Sequence, residues 1–379
     1  MKLIHLSDIH LGKRVNEFSM LEDQAYILKK ILAVVDEEKP NGVLIAGDVY
    51  DKSIPSTEAV QLFDDFLVGL AERKLPVFII SGNHDSPERL SFANRLIDAV
   101  GIHLAPVYNG VVEPITLSDE YGPVNVYMLP FIKPAHVRGF FPDTEITSYS
   151  DAVAAAIGRM NIDKTQRNVL ITHQFVTGAQ RSDSEELSVG GTDNIGAEVF
   201  CDFDYVALGH IHGPQNMDSG RIRYCGSPLK YSFSEAAQQK SVTVAELKEK
   251  GALEIHTVPL IPRRDMVELK GSYQQLTLRE FYENTTYQED YTHITLTDEE
   301  DIPDAVAKLR AVYHNLMKLD YDNTRTRHSA AISGAENVET RSPIDLFAEF
   351  YKLQNGLPMS AEQTELVASL IEKIWEGEE

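Results

Sequence analysis

Five times within the first 212 residues, a short apolar run of strand length gives way to a cluster of Asp, Asn, Gly or His. Lys2–Ser7 runs into Asp8-Ile9-His10, and Val43–Ala46 into Gly47-Asp48-Val49-Tyr50-Asp51. Val77–Ile80 leads through Ser81 to Gly82-Asn83-His84-Asp85. Val169–Thr172 is followed by His173, and Tyr205–Leu208 by Gly209-His210-Ile211-His212. Helix-period segments separate the runs. The first has apolar residues at Leu21, Ala25, Leu28, Leu32 and Val35 and stops at Lys39-Pro40; Ser56–Arg73 and Pro87–Val100 read the same way. Such alternation specifies an α/β sandwich rather than an all-β fold. In open α/β sheets ligands bind beyond the carboxyl ends of the strands, so the five clusters are expected to meet in one place.

The residue types in those clusters suit a pair of metal ions. Carboxylate, imidazole and amide oxygen are hard to borderline ligands, favouring Mn²⁺, Fe²⁺ or Zn²⁺ over the all-oxygen preference of Ca²⁺ and Mg²⁺. Cysteine is missing from the clusters, which argues against a structural zinc site. In Asp8-Ile9-His10 and His210-Ile211-His212 an extended chain would put both polar side chains on one side and the isoleucine on the other. The expected metal ligands are Asp8, His10, Asp48, Asn83, His173, His210 and His212, with Asp48 as the bridge. Two cations about 3.5–4 Å apart activate water for in-line attack on phosphorus and neutralise the phosphoryl oxygens, so no protein nucleophile is needed. A proton donor for the leaving oxygen is needed, and His84 is the candidate, with the Asp51 carboxylate expected to orient it. The remaining seven histidines, His5, His103, His136, His256, His293, His314 and His328, lack such a setting.

A chain of 379 residues exceeds what one hydrophobic core fills, so more than one domain is expected. The domain that carries the five clusters is placed at 1–262, with Pro262 as the boundary. From there isolated strand-like pieces (Met266–Lys270, Thr292–Thr297) flank helical ones (Leu276–Tyr282, Pro303–Leu316), the pattern of a small α+β domain over 263–325. Thr324–Arg341 is poor in apolar residues and reads as a tether, with the linker set at 326–341. The tail, 342–379, reads as a helical hairpin. Ser342-Pro343 opens the first helix, Gly356-Leu357-Pro358 breaks it, and Ser360 with Gln363 caps the second. Each helix carries an apolar stripe, Leu346, Phe347, Phe350 and Tyr351 on one and Leu366, Val367, Leu370, Ile371, Ile374 and Trp375 on the other. Such a hairpin either folds back on the core or docks on another protein.

Composition limits the partners. The chain has 58 acidic and 35 basic residues, a net charge of −23, which repels a polyanion at long range. A nucleic acid would need local positive charge, from two cations or from a basic partner. Cys201 and Cys225 are expected to be free thiols. No run approaches the roughly 20 apolar residues of a membrane span, and the first seven residues do not form a secretory signal, so a cytoplasmic protein is expected.

The ordered fragments D-x-H, G-D-x-x-D, G-N-H-D, H and G-H-x-H resemble the calcineurin-like metallophosphoesterase superfamily, with no element missing. More narrowly, Leu6–Gly12, Gly190–Gly196 and Gly226–Phe233 are similar to the bacterial SbcD family of nuclease subunits, a likeness that extends over almost the whole chain. The resemblance implies a four-layer α-β-β-α sandwich, a small capping domain that shapes DNA access, and a terminal hairpin that binds an SbcC-type ATPase at the base of its coiled coils. It implies a manganese-dependent exonuclease and endonuclease that trims DNA ends and opens hairpins in repair, recombination and replication, as a homodimer. By the same carry-over, Asp8, His10, Asp48 and His212 hold one metal, Asp48, Asn83, His173 and His210 the other, and His84 is the catalytic histidine.

Two rival readings stay open at this level: a phosphomonoesterase or protein phosphatase on the same metals, and a non-catalytic scaffold for the ATPase. Asp51 is followed by Lys52-Ser53 and His84 by Asp85, unlike the R-G and E that protein phosphatases resemble at those places. Lys13, Arg14, Arg89 and Lys230, with Arg263-Arg264 at the domain boundary, are the candidate phosphate contacts.

Overall fold

The computed structural model of the chain describes residues 1–91, 94–185, 194–326, 343–355 and 359–376. Two compact units divide it, Met1–Val267 with Glu289–Thr292, and Glu268–Gln288 with His293–Glu379.

Among the described residues the first unit holds two six-stranded sheets. One has the order Leu253–Pro259, Ser241–Leu247, Lys2–Leu6, Gly42–Ala46, Val77–Ile80, Ile102–Ala105. Its last four strands run parallel, and the first two are antiparallel additions at the edge. The other has the order Gln215–Met217, Ile222–Tyr224, Tyr205–Gly209, Arg167–His173, Gly122–Leu129, Ile115–Asp119, with a parallel centre and an antiparallel strand at each edge.

Alternation along the strands decides what each face covers. Leu3, Leu44, Ala46, Phe78 and Ile80 pack with Val124, Val126, Val169, Ile171, Tyr205 and Ala207 in one apolar layer between the sheets. The pleat turns Ile4, Val43, Ile45, Val77 and Ile79, all fully buried, to the opposite face, toward the crossover helices Leu21–Glu38 and Thr57–Glu72. On the far side, Tyr127, Leu129, Leu170, Val206 and Leu208 pack with Ala152, Val153, Ala156 and Ile157 of the helix Tyr149–Gly158. The layers are therefore helix, sheet, sheet, helix.

Arg167, 2% exposed, ties the two sheets together at one edge. It ion-pairs with Asp119 of the second sheet and donates to the carbonyls of Leu247 (3.1 Å) and Lys248 (2.9 Å) at the end of a first-sheet strand. The guanidinium, helped by the Met1 ammonium at 2.5 Å, holds the Asp119 carboxyl well below its unfolded value of 3.8. A carboxyl depressed by folding adds stability above its unfolded pKa and loses it as pH falls toward the folded one. Asp119→Asn should therefore cost about 2 kcal/mol at pH 7 and distinctly less at pH 3. Urea unfolding at the two pH values checks this, and an equal loss at both overturns the ionic account.

Several expected elements differ in detail. The first helix buries Ile27, Leu28, Ile31, Val34 and Val35, a stripe rotated from the expected one, because Asp23 and Gln24 take part of the inner face. The segment Pro87–Val100 forms no single helix: Pro87–Leu90 and Asn94–Ile97 are separate, followed by a 3₁₀ turn at Asp98–Val100. In the second unit the sheet order is Met266–Gly271, Tyr291–Leu296, Asn315–Tyr321. The expected helix over Pro303–Leu316 is only Ala305–Arg310, and its end belongs to the third strand, in which apolar Met317, Leu319 and Tyr321 alternate with Lys318 and Asp320. The tail forms the helices Pro343–Asn355 and Ala361–Glu376. Ser360 N–H donates to Gln363 Oε1 at 2.9 Å and Gln363 N–H to Ser360 Oγ at 3.2 Å, closing the expected capping box. Residues 327–341 of the expected linker, the Gly356-Leu357-Pro358 break and Gly190–Asp193 lie outside the described residues. No described helix is long and apolar enough to cross a membrane.

Candidate metal centre

The polar clusters follow directly on strands from both sheets, and the backbone beyond the strands keeps them together. Past the end of the first strand, Asp8 N–H donates to Gly47 O (3.1 Å), His10 to Asp48 O (3.0 Å) and Leu11 to Val49 O (2.8 Å). Asp8 and His10 reach one side with Ile9 buried behind them, as the spacing predicts, but not by extended backbone. Asp8 and His10 have φ of 50° and 48°, Asp48 has 50° and His210 has 102°. Four of the seven expected ligands thus occupy the left-handed region that costs an L-residue about 1–2 kcal/mol. The crowding explains two glycines. A Cβ on Gly47, itself at φ 84°, would stand 2.5 Å from His173 Nδ1, and one on Gly209 would collide with Ala46 O.

The seven side chains converge. His10 Nε2 and His212 Nε2 are 3.1 Å apart, and Asn83 Oδ1 lies 3.0 Å from His173 Nε2 and 2.9 Å from His210 Nδ1. Asp48 Oδ2 sits between the two groups, 3.3 Å from His173 Nε2 and 3.6 Å from His10 Nε2. Ligand atoms of Asp8, His10 and His212 cluster within 4.8 Å of one another, as do those of Asp8, Asp48 and His173, and those of His10, Asp48 and His84. All seven are buried except Asn83, which is partly so. The orientation of two imidazoles follows from their outer nitrogens: His173 Nδ1 donates to Ala46 O at 2.8 Å, and His212 Nδ1 lies 2.6 Å from Ser184 Oγ, which turns Nε2 inward in both.

The electrostatics ask for positive charge. Burial lifts the Asp8 carboxyl above its usual range. Burial opposes ionisation of Asp48 as well, but His173, His10 and His84 outweigh it and hold that carboxyl well below. His173, which burial alone would neutralise, is pushed up to about 9 by Asp48 and Asp8, while burial and His173 push His210 down to about 3. Inward lone pairs of imidazole, carboxylate and amide oxygen this close together fit divalent ions of the Mn²⁺, Fe²⁺ or Zn²⁺ type.

A second ring of buried polar groups, to which the sequence reading gave no role, fixes the loops of the candidate ligands. Asp85 accepts from the backbone N–H of Val49 (3.2 Å), Tyr50 (2.9 Å) and Gly82 (2.9 Å), pinning the Asp48 loop to the Asn83 loop. Gln24 donates to His10 O at 2.7 Å and to Tyr231 Oη at 3.1 Å, and Tyr231 donates to Ile9 O. Glu185 accepts from His212 N–H at 2.6 Å. Apart from the place of Asp85 in the Gly82–Asp85 cluster, the sequence signal was a polar pair, Asp23-Gln24, on the apolar face of a helix. Asp23, fully buried, takes Arg264 at 2.9 Å and Tyr291 Oη at 2.7 Å.

His84 lies at the rim, its side chain 17% exposed and its ring 4.9 Å from that of His10. Its orienting partner corrects the expectation: Nδ1 donates to the backbone carbonyl of Asp51 at 3.1 Å, while the Asp51 carboxylate takes Lys13 at 2.8 Å. That leaves His84 Nε2 directed to the site, 4.0 Å from Asp48 Oδ2. The basic candidates separate likewise. Lys13 is committed to Asp51, Lys230 to Asp265 (2.8 Å) and Ala236 O (2.6 Å), Arg263 to Glu22 and Arg264 to Asp23. Arg14 and Arg89 are exposed. Arg181, not singled out in the sequence, stacks 3.7 Å over Phe175, whose ring is 6.4 Å from that of His210.

Residues 1–214 match the calcineurin-like phosphoesterase family, a span that contains every one of the seven expected ligands. The chain belongs to the calcineurin-like phosphoesterase family. Residues 262–355 of this phosphoesterase match a domain described as the type 5 capsule protein repressor C-terminal domain. The phosphoesterase is similar over its whole length to the SbcD component of the SbcCD nuclease of Staphylococcus epidermidis, 33% identical over 382 residues with 100% of both chains covered. The corresponding SbcCD nuclease component of Staphylococcus saprophyticus is 32% identical over 386 residues, with 99% of each chain covered. Among solved structures, a dimetal phosphatase from Danio rerio is 13% identical with a TM-score of 0.39, covering 69% of this chain and 99% of that one. Membership of the family implies divalent metal ions, and the donor set described above fits them.

Proposed function

We propose that this phosphoesterase is a metal-dependent DNA nuclease that works with an SbcC-type coiled-coil ATPase. The observation that carries the reading is the convergence of seven ligand-type side chains from five strand ends of two sheets, in a chain alike end to end with SbcD-type nuclease components. Asp8, His10, Asp48 and His212 would hold one ion, and Asp48, Asn83, His173 and His210 the other, with Mn²⁺ the metal that suits the donors best. When bound, the ions supply charge neutralisation for the phosphoryl oxygens and water activation at neutral pH.

The chain's own groups do the rest. Asp48 sets the spacing between the two halves of the site. His84, its Nδ1–H fixed on the Asp51 carbonyl, presents Nε2 to the leaving oxygen and delivers the proton there. Arg14 and Arg89, with Lys13 and Lys230 if phosphate displaces their carboxylate partners, contact the DNA backbone against a net charge of −23. The tail, 342–379, is the docking element for the ATPase: Phe347, Phe350, Leu366 and Leu370 are 41%, 50%, 60% and 48% exposed, too open for a stripe folded back on a core. Action on ends and hairpins in repair, recombination and replication, and assembly as a homodimer, follow from the same likeness.

The test is cleavage of a DNA hairpin and a blunt duplex in Mn²⁺, with and without the ATPase. Both substrates should be cut and chelation should stop it. Turnover of p-nitrophenyl phosphate without any DNA cleavage would replace this reading with a phosphomonoesterase.

A further inference from the structure

His212 is held by a buried cluster that no phosphoesterase motif contains. Ser184 Oγ lies 2.6 Å from His212 Nδ1 and 2.5 Å from Glu235 Oε1. Glu235 is fully buried, and its other oxygen takes the ammonium of Lys240, 4% exposed, at 2.5 Å. Lys240 also donates to the carbonyl of His212 at 2.8 Å, and Glu185 accepts from the N–H of the same residue at 2.6 Å. Backbone and ring of one histidine are therefore fixed by one set of partners.

The direction of the hydrogen bonds is determined. Glu235 is an acceptor only, so the Ser184 hydroxyl proton points to it. The Ser184 oxygen is then left as acceptor, so His212 carries its proton on Nδ1 and directs the Nε2 lone pair inward, beside His10 Nε2. Without the hydroxyl, Nδ1 would face a carboxylate 3.6 Å away, beyond hydrogen-bond reach, and the ring would lose both its tautomer preference and its stop. Outer partners of this kind fix ring orientation and typically change metal affinity by about 10–100-fold when removed.

We propose that Ser184 is a positioning residue, the middle of a relay His212–Ser184–Glu235–Lys240 that selects the inward-facing tautomer of His212 for one of the two cations. The relay rests on the reading of His212 as a ligand given above. Ser184 Oγ reaches His212, Glu235 and, at 3.3 Å, Ser182 Oγ, so the expected ligand on which its substitution acts is His212.

Calorimetric titration of the full-length protein with Mn²⁺ tests it. Ser184→Ala should weaken one of two uptake steps by about 10–100-fold and leave the other unchanged, and Ser184→Thr, which keeps the hydroxyl, should restore it. Two unaltered steps in Ser184→Ala, or equal weakening of both, would overturn the relay while leaving the nuclease reading intact. Uptake absent from the unsubstituted protein would overturn both. If Ser184→Ala loosens the fold, its metal-free melting temperature falls; a normal value with a single weakened step is the signature expected here.

Discussion

Asp48→Asn is expected to abolish DNA cleavage and to remove both steps of divalent-ion uptake, not one. Asp48 Oδ2 lies near imidazoles of both groups, 3.3 Å from His173 and 3.6 Å from His10. Asparagine keeps the shape and removes the charge. Loss of a ligand shared by two ions should exceed the roughly 10–100-fold effect of removing an outer partner, so micromolar binding would pass beyond calorimetric detection. Thermal unfolding gives a second reading. For the unsubstituted protein, Mn²⁺ at about 100 times its dissociation constant adds about 2.7 kcal/mol for each site, and the Asn variant should show no such rise. A variant that still takes up two ions would mean that Asp48 does not bridge.

His84→Gln should lower cleavage by about 10²–10⁴-fold with Mn²⁺ uptake unchanged. The two halves of that statement separate two roles that geometry permits, because His84 lies close enough to His10 and Asp48 to serve as a ligand. The case for proton donation is its rim position and the carbonyl of Asp51 on its outer nitrogen. A diester with p-nitrophenol as leaving group needs no proton, so the loss should shrink markedly on that substrate. An undiminished loss there, or disappearance of one uptake step, would make His84 a ligand and leave the donor to be found elsewhere.

The candidate site was legible in the sequence because its candidate ligands sit where apolar strands stop, and a strand end in an α/β sheet has few other reasons to gather Asp, Asn and His. Even so, the route from sequence to geometry differed: the i, i+2 pairs share a side through left-handed backbone at Asp8, His10 and His210, which spacing alone does not reveal. What stayed hidden was the support. Asp85, Tyr231, Glu235 and Lys240 act through partners that are far away in sequence or on main-chain atoms, and a polar residue in a loop gives no sign that it will be buried. Asp51 shows the limit most simply, since its carbonyl, common to all residues, does what its carboxylate was expected to do. The strand Asn315–Tyr321 was lost for another reason: its half-exposed alternation competes with a helical reading of the residues just before it.

The left-handed backbone at Asp8, His10, Asp48 and His210 bears on which ion the protein accepts. A ligand on relaxed strand or helix can swing to meet ions of different radius, whereas these four are locked by turns that have little room to bend and by main-chain bonds between neighbouring loops. If the seven side chains hold ions as proposed, a site fixed in this way would choose among ions with similar taste in donors by their size and coordination number.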